Sequence, residues 1–317
     1  MRGNRICAVC GAAAVGRLYP ASPAFRRKVY RCTDLSPRLP SDLLRCRACG
    51  LLRLAEFPPP EETDRPYLEM EDPEYLDDAR EREATFDRYL DVIERERPPG
   101  RLLDVGCHAG LLLGRARRRG WRVQGLEPSR WGVAQARAGG IEDVRQGTVD
   151  SVDFPGASFD VVTFLDVIEH LRDPAAALRR IAGWLKPSGL LLMGTPDGDS
   201  LWRRILGPKW WCIREAHLFY FSRRSLVLLL RSAGLAPVRF MTQGRYLAPG
   251  RLARLFGDFC AGPVPERSAG YRAGLAGGRP SGSPRRGSGP MLWVDPGDQI
   301  LSLARRPERS APQESMS

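Results

Sequence analysis

The chain has 317 residues, 43% hydrophobic and 8% aromatic, room for one large globular domain and a small module, and a composition that excludes fibrous or wholly disordered classes. Its formal charge is +12, yet Lys28, Lys186 and Lys209 are its only lysines; the excess is arginine spread along the chain, which does not by itself specify a nucleic-acid partner. No apolar run reaches the ~18–20 residues of a bilayer span, and MRGNRICAVCG lacks the apolar core of a secretion signal, so a cytoplasmic chain without membrane attachment is expected.

Cys7-Ala8-Val9-Cys10-Gly11 and Cys46-Arg47-Ala48-Cys49-Gly50 are two copies of C-x-x-C-G. The two-residue spacing lets a tight turn point both sulfurs at one ion, the glycine accepts the turn's positive φ, and two such knuckles complete a tetrahedral four-sulfur site. The sequence therefore predicts a zinc ribbon over residues 1–56 with Cys7, Cys10, Cys46 and Cys49 as ligands of a structural Zn2+. Iron or a redox-active dithiol are the alternatives for the same sulfurs, and a reducing compartment argues against disulfides. Cys32, between the knuckles, is expected to be an ordinary thiol, with replacement of another ligand as the alternative.

The stretch from Glu56 to Glu96 holds sixteen acids against five arginines, a surface complementary to the basic remainder. Residues 57–76 are acidic and proline-rich and read as a linker. From Asp77 to Arg97 the pattern is helical, with Phe86, Tyr89, Leu90 and Ile93 on one stripe, and Pro98-Pro99-Gly100 ends it.

Arg101–Gly120, RLLDVGCHAGLLLGRARRRG, reads as a strand ending in Asp104, a turn through Gly106, Ala109 and Gly110, and a helix carrying Leu111, Leu112, Leu113 and Ala116. Glycines at such a turn let a ligand approach the backbone, and the helix start offers unpaired N–H groups. A dinucleotide fingerprint, G-x-G-x-x-G, does not fit the spacing, and Asp104 would repel a phosphate. A carboxylate there suits a ligand with an amino group and a sulfonium. Asp104-Val105-Gly106-Cys107-His108-Ala109-Gly110 resembles motif I, D-x-G-x-G-x-G, of class I S-adenosylmethionine-dependent methyltransferases, with His108 standing where the middle glycine usually is. The resemblance implies that the preceding helix lies across the cofactor site. Tyr67 and Tyr75 are expected to pack or face solvent, with reach into that site as the alternative.

Trp121–Ser129 reads as a second strand ending in Glu127, and Ser129 caps a helix over Arg130–Ala138. A carboxylate at the tip of the adjacent strand can accept both ribose hydroxyls. Asp143–Gln146 is the third strand, and the resemblance sets Gly147-Thr148-Val149-Asp150 against adenine. Phe159–Leu165 is the continuous apolar run of a strand buried on both faces. It leads into Asp166-Val167-Ile168-Glu169-His170-Leu171, and Asp173-Pro174 starts the next helix. FDVVTFLDVIEHLRDP is similar to the matching motif of small-molecule methyltransferases. Lys186-Pro187-Ser188-Gly189 is a turn into a fifth strand, Leu190–Gly194. The aromatic stretch Trp210–Ser222, with His217, is implied to line an acceptor pocket, plain packing being the alternative for its tryptophans; Ser222 caps Arg223–Ala233. Strands six and seven are Pro237–Met241 and Gln299–Ala304, which the resemblance pairs antiparallel at the sheet edge. Between them, 251–290 is a Gly/Arg/Pro/Ser-rich insertion, expected to be mobile and to sit away from the cofactor, and 307–317 is expected to be a disordered tail.

The implied fold is α/β, a doubly wound, seven-stranded, mostly parallel Rossmann-like sheet over 77–250 and 291–306, with the small N-terminal zinc ribbon. The implied cofactor is S-adenosyl-L-methionine, carried by Asp104, Gly106, Cys107, Gly110, Glu127, Pro128, Thr148, Val149 and Asp166. His170 and His217 are the candidates for taking a proton from an acceptor, since imidazole titrates near neutrality, with Glu169 orienting its neighbour. The expected partner is a small-molecule methyl acceptor: a sugar, cell-surface or secondary-metabolite precursor. A zinc ribbon on a basic chain leaves RNA as an alternative acceptor, although neither an Asn/Asp-Pro-Pro-aromatic motif nor a Pro-Cys nucleophile is present where such enzymes carry them. A non-catalytic S-adenosylmethionine-binding module is the other alternative, and oligomeric state is not fixed by the sequence.

Overall fold

The computed structural model describes residues 6–23, 37–250 and 290–308. Cys32, residues 251–289 and residues 309–317 lie outside them, and with them the expectations for the spare thiol, nearly all of the insertion and most of the tail. Three short strands come first, β1 (Val15–Tyr19), β2 (Leu43–Cys46) and β3 (Leu52–Leu54), then helices α1 (Pro60–Leu68), α2 (Glu74–Asp77) and α3 (Ala79–Glu94). Strands and helices then alternate: β4 (Arg101–Val105), α4 (Leu111–Arg118), β5 (Arg122–Glu127), α5 (Arg130–Ala138), β6 (Val144–Gln146), β7 (Phe159–Leu165), α6 (Pro174–Trp184) and β8 (Leu185–Pro196). The rest comprises α7 (Leu201–Leu206), β9 (Phe219–Tyr220), α8 (Arg223–Ser232), β10 (Ala236–Thr242), β11 (Arg245–Leu247), β12 (Leu292–Val294) and β13 (Gln299–Arg305).

The main sheet has seven strands in the order β10-β13-β8-β7-β4-β5-β6. Every strand is parallel to its neighbour except β13, which runs against both β8 and β10. This is the doubly wound α/β sheet that the sequence implies. Its centre is apolar because both faces are covered: Val161, Val162, Phe164, Leu190, Leu191 and Leu192 are fully buried. Strand order reverses between β4 and β7, and in such sheets the carboxyl ends on either side of the reversal open a crevice. The expected caps form locally. Ser129 Oγ accepts from Gly132 N–H, Asp173 accepts from Ala176 N–H with Pro174 at the first helical position, and Ser222 and Ser225 exchange bonds as a capping box.

Four features differ from the sequence reading. The acidic 57–76 stretch is not an extended linker but carries α1 and the start of α2, Pro60 occupying the position where a missing N–H costs nothing. The turn at Lys186–Gly189 survives as a bulge inside a longer β8, with Ser188 at φ +60° and the pairing jumping from Leu185 to Leu190. An unforeseen hairpin, β11–β12, stands at the root of the insertion. Because β10 runs parallel to β8, that root leaves from the carboxyl edge of the sheet, not from the end remote from the cofactor.

The ribbon is no separate body. β9, from the main chain body, pairs with β3 to close a second sheet, β1-β2-β3-β9, and Leu43, Leu52 and Leu54 share one apolar cluster with Phe219, Phe221 and Trp210. Among the described residues no helix is long and apolar enough to cross a membrane.

Candidate active site

Parallel pairing of β4 with β5 sets Asp104 beside Gly125 and Val105 beside Leu126, so the carboxyls of Asp104 and Glu127 reach the same edge. Both are buried. Thr163 Oγ1 donates to Asp104 Oδ1 at 2.7 Å, and the backbone N–H groups of His108 and Ser129 donate to the two Glu127 oxygens at 2.7 and 2.9 Å. A carboxylate offers about four acceptor positions, so Glu127 keeps capacity for the two hydroxyls of a ribose. Burial pushes both carboxyls up to about 7, against the opposing pull of those hydrogen bonds. A ligand that brings hydroxyl donors or positive charge relieves that penalty.

The turn between the two acids has no room for side chains at its glycines. Gly106 (φ +80°) would drive a Cβ to 2.5 Å from Val167 Cγ2, and Gly110 (φ +72°) would set one 3.0 Å from Ala136 Cβ. Between them, Cys107 turns its sulfur inward, where a Cβ on Gly125 would meet it at 2.7 Å, and gives its N–H to Leu126. Its thiol therefore packs inside the loop, which leaves the backbone of Cys107 as its part nearest the crevice. His108 follows at φ +47°, its ring tilted on Tyr75 with centroids 3.8 Å apart and Trp131 at its edge at 5.4 Å. Gly147 N–H bonds to the Glu127 carbonyl and Gln146 Nε2 to the Pro128 carbonyl, which draws Thr148 and buried Val149 beside the β5 tip. Asp166 stands across the reversal at φ +54°, its carboxyl 3.4 and 3.5 Å from Gln243 Nε2. No sequence signal marks Gln243; it reaches the site only through the strand topology.

Glu169 and His170 lie on a single 3-10 turn after β7. Thr195 Oγ1 donates to Glu169 Oε2 at 3.0 Å, and burial, helped by Asp166, raises that carboxyl to about 8, so Glu169 holds its proton at neutral pH. Its backbone carbonyl accepts the Leu218 N–H at 2.8 Å, which pins the aromatic stretch to this turn. His170 Nδ1 is held between Tyr67 Oη at 2.6 Å and the Ala216 carbonyl at 3.0 Å, and the His170 and His217 rings are 4.7 Å apart. Burial lowers His170 to about 4 and carries His217 far below its usual range, so both rings are neutral at pH 7. His217 Nδ1 has no hydrogen-bond partner among the described residues. One ligand atom each from Glu169, His170 and His217 falls within 4.8 Å of the others, a cluster of a size to take a hydroxyl group or a small cation. Tyr67 and Tyr75, expected to pack or face solvent, thus meet His170 and His108. The tryptophans take the packing role, Trp210 fully buried against Tyr220 and Trp211 Nε1 donating to Asp298.

The four sulfurs of Cys7, Cys10, Cys46 and Cys49 also lie within 4.8 Å of one another, with Cys7–Cys49 and Cys10–Cys46 each at 3.6 Å. A tetrahedron of sulfurs ~2.3 Å from a zinc ion has edges of about 3.8 Å, so the donor set fits Zn2+. Gly11 (φ +69°) and Gly50 (φ +79°) make the knuckle turns, and Ser222 Oγ donates to the Cys49 carbonyl at 2.6 Å.

The methyltransferase domain family matches residues 76–239. Among curated relatives, a protein named ubiquinone biosynthesis O-methyltransferase from Ruegeria pomeroyi is 36% identical over 172 residues, 50% of this chain and 69% of that one. A protein of the same name from Rhodopseudomonas palustris is 40% identical over 100 residues, 30% of this chain and 39% of that one, so this chain spans well under two thirds of the latter relative. Among solved structures, an S-adenosylmethionine-dependent methyltransferase from Archaeoglobus fulgidus is similar at 15% identity and a TM-score of 0.47, covering 74% of this chain and 100% of that one. Since the family match takes in more than half of the residues and spans most of the doubly wound sheet, this chain belongs to the class I S-adenosylmethionine-dependent methyltransferases.

Proposed function

We propose that the chain moves a methyl group from S-adenosylmethionine to an oxygen of a small molecule presented at the Glu169–His170–His217 edge. When bound, the cofactor supplies an electrophilic methyl carbon on a sulfonium, and in-line displacement asks the protein chiefly to align the acceptor and exclude water. In this reading Asp104 and Glu127 hold the amino-acid and ribose ends, Gly106 and Gly110 let the ligand close on the backbone, and Pro128, Thr148 and Val149 flank the base. Asp166 stands between donor and acceptor. The buried carboxyls and the glycine turn fit such a ligand, because their acceptor capacity and raised affinity for protons both call for hydroxyl donors and positive charge. The four-cysteine cluster of the ribbon holds a structural zinc ion.

The observation that carries the acceptor assignment is the unpartnered Nδ1 of neutral, buried His217 beside His170. A neutral imidazole takes the proton of an acceptor hydroxyl as the carbon–oxygen bond forms, while protonated Glu169 offers a hydrogen bond and no competing base. The relatives' names support oxygen as the methylated atom. The test is incubation of the zinc-loaded protein with methyl-labelled S-adenosylmethionine and a fractionated cell extract, with and without ribonuclease. Label in a nuclease-resistant small-molecule fraction, lost in His217→Phe while nucleoside binding persists, is the expected result. Label confined to nuclease-sensitive polymer would overturn the acceptor class.

A further inference from the structure

His108 replaces a glycine of the family motif, and two facts set it apart. The side chain is only 6% exposed, and neither ring nitrogen has a hydrogen-bond partner among the described residues. Leaving a buried donor and acceptor unpaired is costly, and each such group in a folded chain calls for an explanation. Packing alone does not supply one, since a phenyl ring would fill the same space against Tyr75 and Trp131 without that cost.

The residue's backbone indicates what the missing partner is. His108 N–H donates to Glu127 Oε2, and a Cβ on Gly132 would touch both Glu127 Cγ at 3.0 Å and the His108 carbonyl carbon at 3.4 Å. The backbone of His108 is therefore bonded to the carboxyl assigned to the ribose, and its imidazole leaves from that point, walled by Tyr75 on one face and by Trp131 at its edge. Tyr75 is in turn covered by the Arg82 guanidinium, 3.8 Å above its ring, so the stack runs from α3 through α2 to the motif turn. A neutral imidazole presents one donor and one acceptor. The two point away from each other, so a sugar hydroxyl, which both gives and takes a hydrogen bond, can partner whichever nitrogen faces it.

We propose that His108 is a nucleoside-binding residue, one of its ring nitrogens bonding a ribose hydroxyl of the cofactor beside Glu127 while its stack on Tyr75 fastens the α2–α3 cover over the motif turn. This rests on the nucleoside site proposed above. Its test is calorimetry with two probes, S-adenosylhomocysteine and 5′-methylthioadenosine, the second keeping the nucleoside and lacking the amino-acid end. It is joined to thermal unfolding of the ligand-free protein. His108→Phe, which keeps the stack and removes the nitrogens, is expected to weaken both probes by roughly tenfold, the scale of one lost hydrogen bond, while the unfolding midpoint holds or rises. His108→Gly is free to adopt the same φ and should weaken both probes at least as much while lowering the midpoint. Unchanged affinities in either folded variant would overturn the inference, and so would a loss confined to S-adenosylhomocysteine, which would move the contact to the amino-acid end. Failure of the wild type to bind either probe would instead bring down the nucleoside site itself.

Discussion

The two ends of the crevice are both lined by buried ionisable side chains, yet they are assembled in different ways. At the end we assign to the nucleoside, one β–α–β stretch, residues 101–127, carries Asp104, the glycine turn, His108 and Glu127 within a single pair of neighbouring strands. At the acceptor end His170 meets a tyrosine 103 positions earlier and a carbonyl 46 positions later, and the segment bearing His217 is fastened on its far side to the cysteine knuckles. The first is chiefly a local device, with side-chain support from Thr163 on β7 and Tyr75 on α2. The second exists only once the ribbon, α1 and the aromatic stretch have all docked, so it should be the more fragile of the two.

The largest effect that separates them comes from the metal. Cys46→Ala should release zinc, whose binding to small ribbon peptides is worth on the order of 10–16 kcal/mol. Methyl transfer should then fall by at least about a hundredfold while S-adenosylhomocysteine affinity, by calorimetry, stays within about fivefold; the magnitudes follow if the acceptor edge loosens and the β4–β5 crevice does not. Parallel collapse of both would break the distinction. Next comes Asp104→Asn, which should weaken S-adenosylhomocysteine binding roughly 10–100-fold, the scale of a lost charge-assisted bond, with zinc content unchanged. Its pH dependence sharpens the point. Because burial raises Asp104 and Glu127 to about 7, the folded ligand-free chain keeps protons that the unfolded chain releases nearer pH 4. Their contribution thus favours folding at low pH and is lost as pH climbs from about 4 through 7, whereas S-adenosylhomocysteine binding, for which both groups are needed as carboxylates, is expected to strengthen between about pH 6 and 8. Thermal midpoints and titrations across that range should cross in opposite directions, and Asp104→Asn should flatten both trends. The smallest effect is expected from Tyr67→Phe, which removes one hydrogen bond of about 1 kcal/mol. It should lower kcat roughly fivefold with nucleoside affinity untouched; a change in affinity instead would tie Tyr67 to the wrong end.

That Asp104 and Glu127 meet at one edge is legible in the sequence for the same reason that it is local: Asp104, Gly106, Gly110 and Glu127 sit at fixed spacings on adjacent elements, and the knuckles announce themselves by C-x-x-C-G. Even there, spacing does not reveal that Cys107 turns inward, because a strand–turn pattern does not say which way a loop thiol packs. Prolines and acids make residues 57–76 look like a linker, although Pro60 starts a helix and Tyr67 meets His170, 103 positions later. β9, two residues long, carries no periodicity to detect. The antiparallel pairing of β10 with β13 agrees with the family pattern, but the root of the insertion lies at the opposite end from the one expected, since only the complete strand order shows that β10 finishes beside Asp166.

Strand β9 has a practical consequence for anyone who would trim this protein. Cutting away the first 56 residues would strip the cover from Phe219 and Tyr220, baring a row of unpaired amides and carbonyls next to a greasy seam formerly filled by Leu43, Leu52 and Leu54. Such a rim is a template for sticking to its own kind. A catalytic fragment made without the ribbon would need a substitute strand engineered in its place.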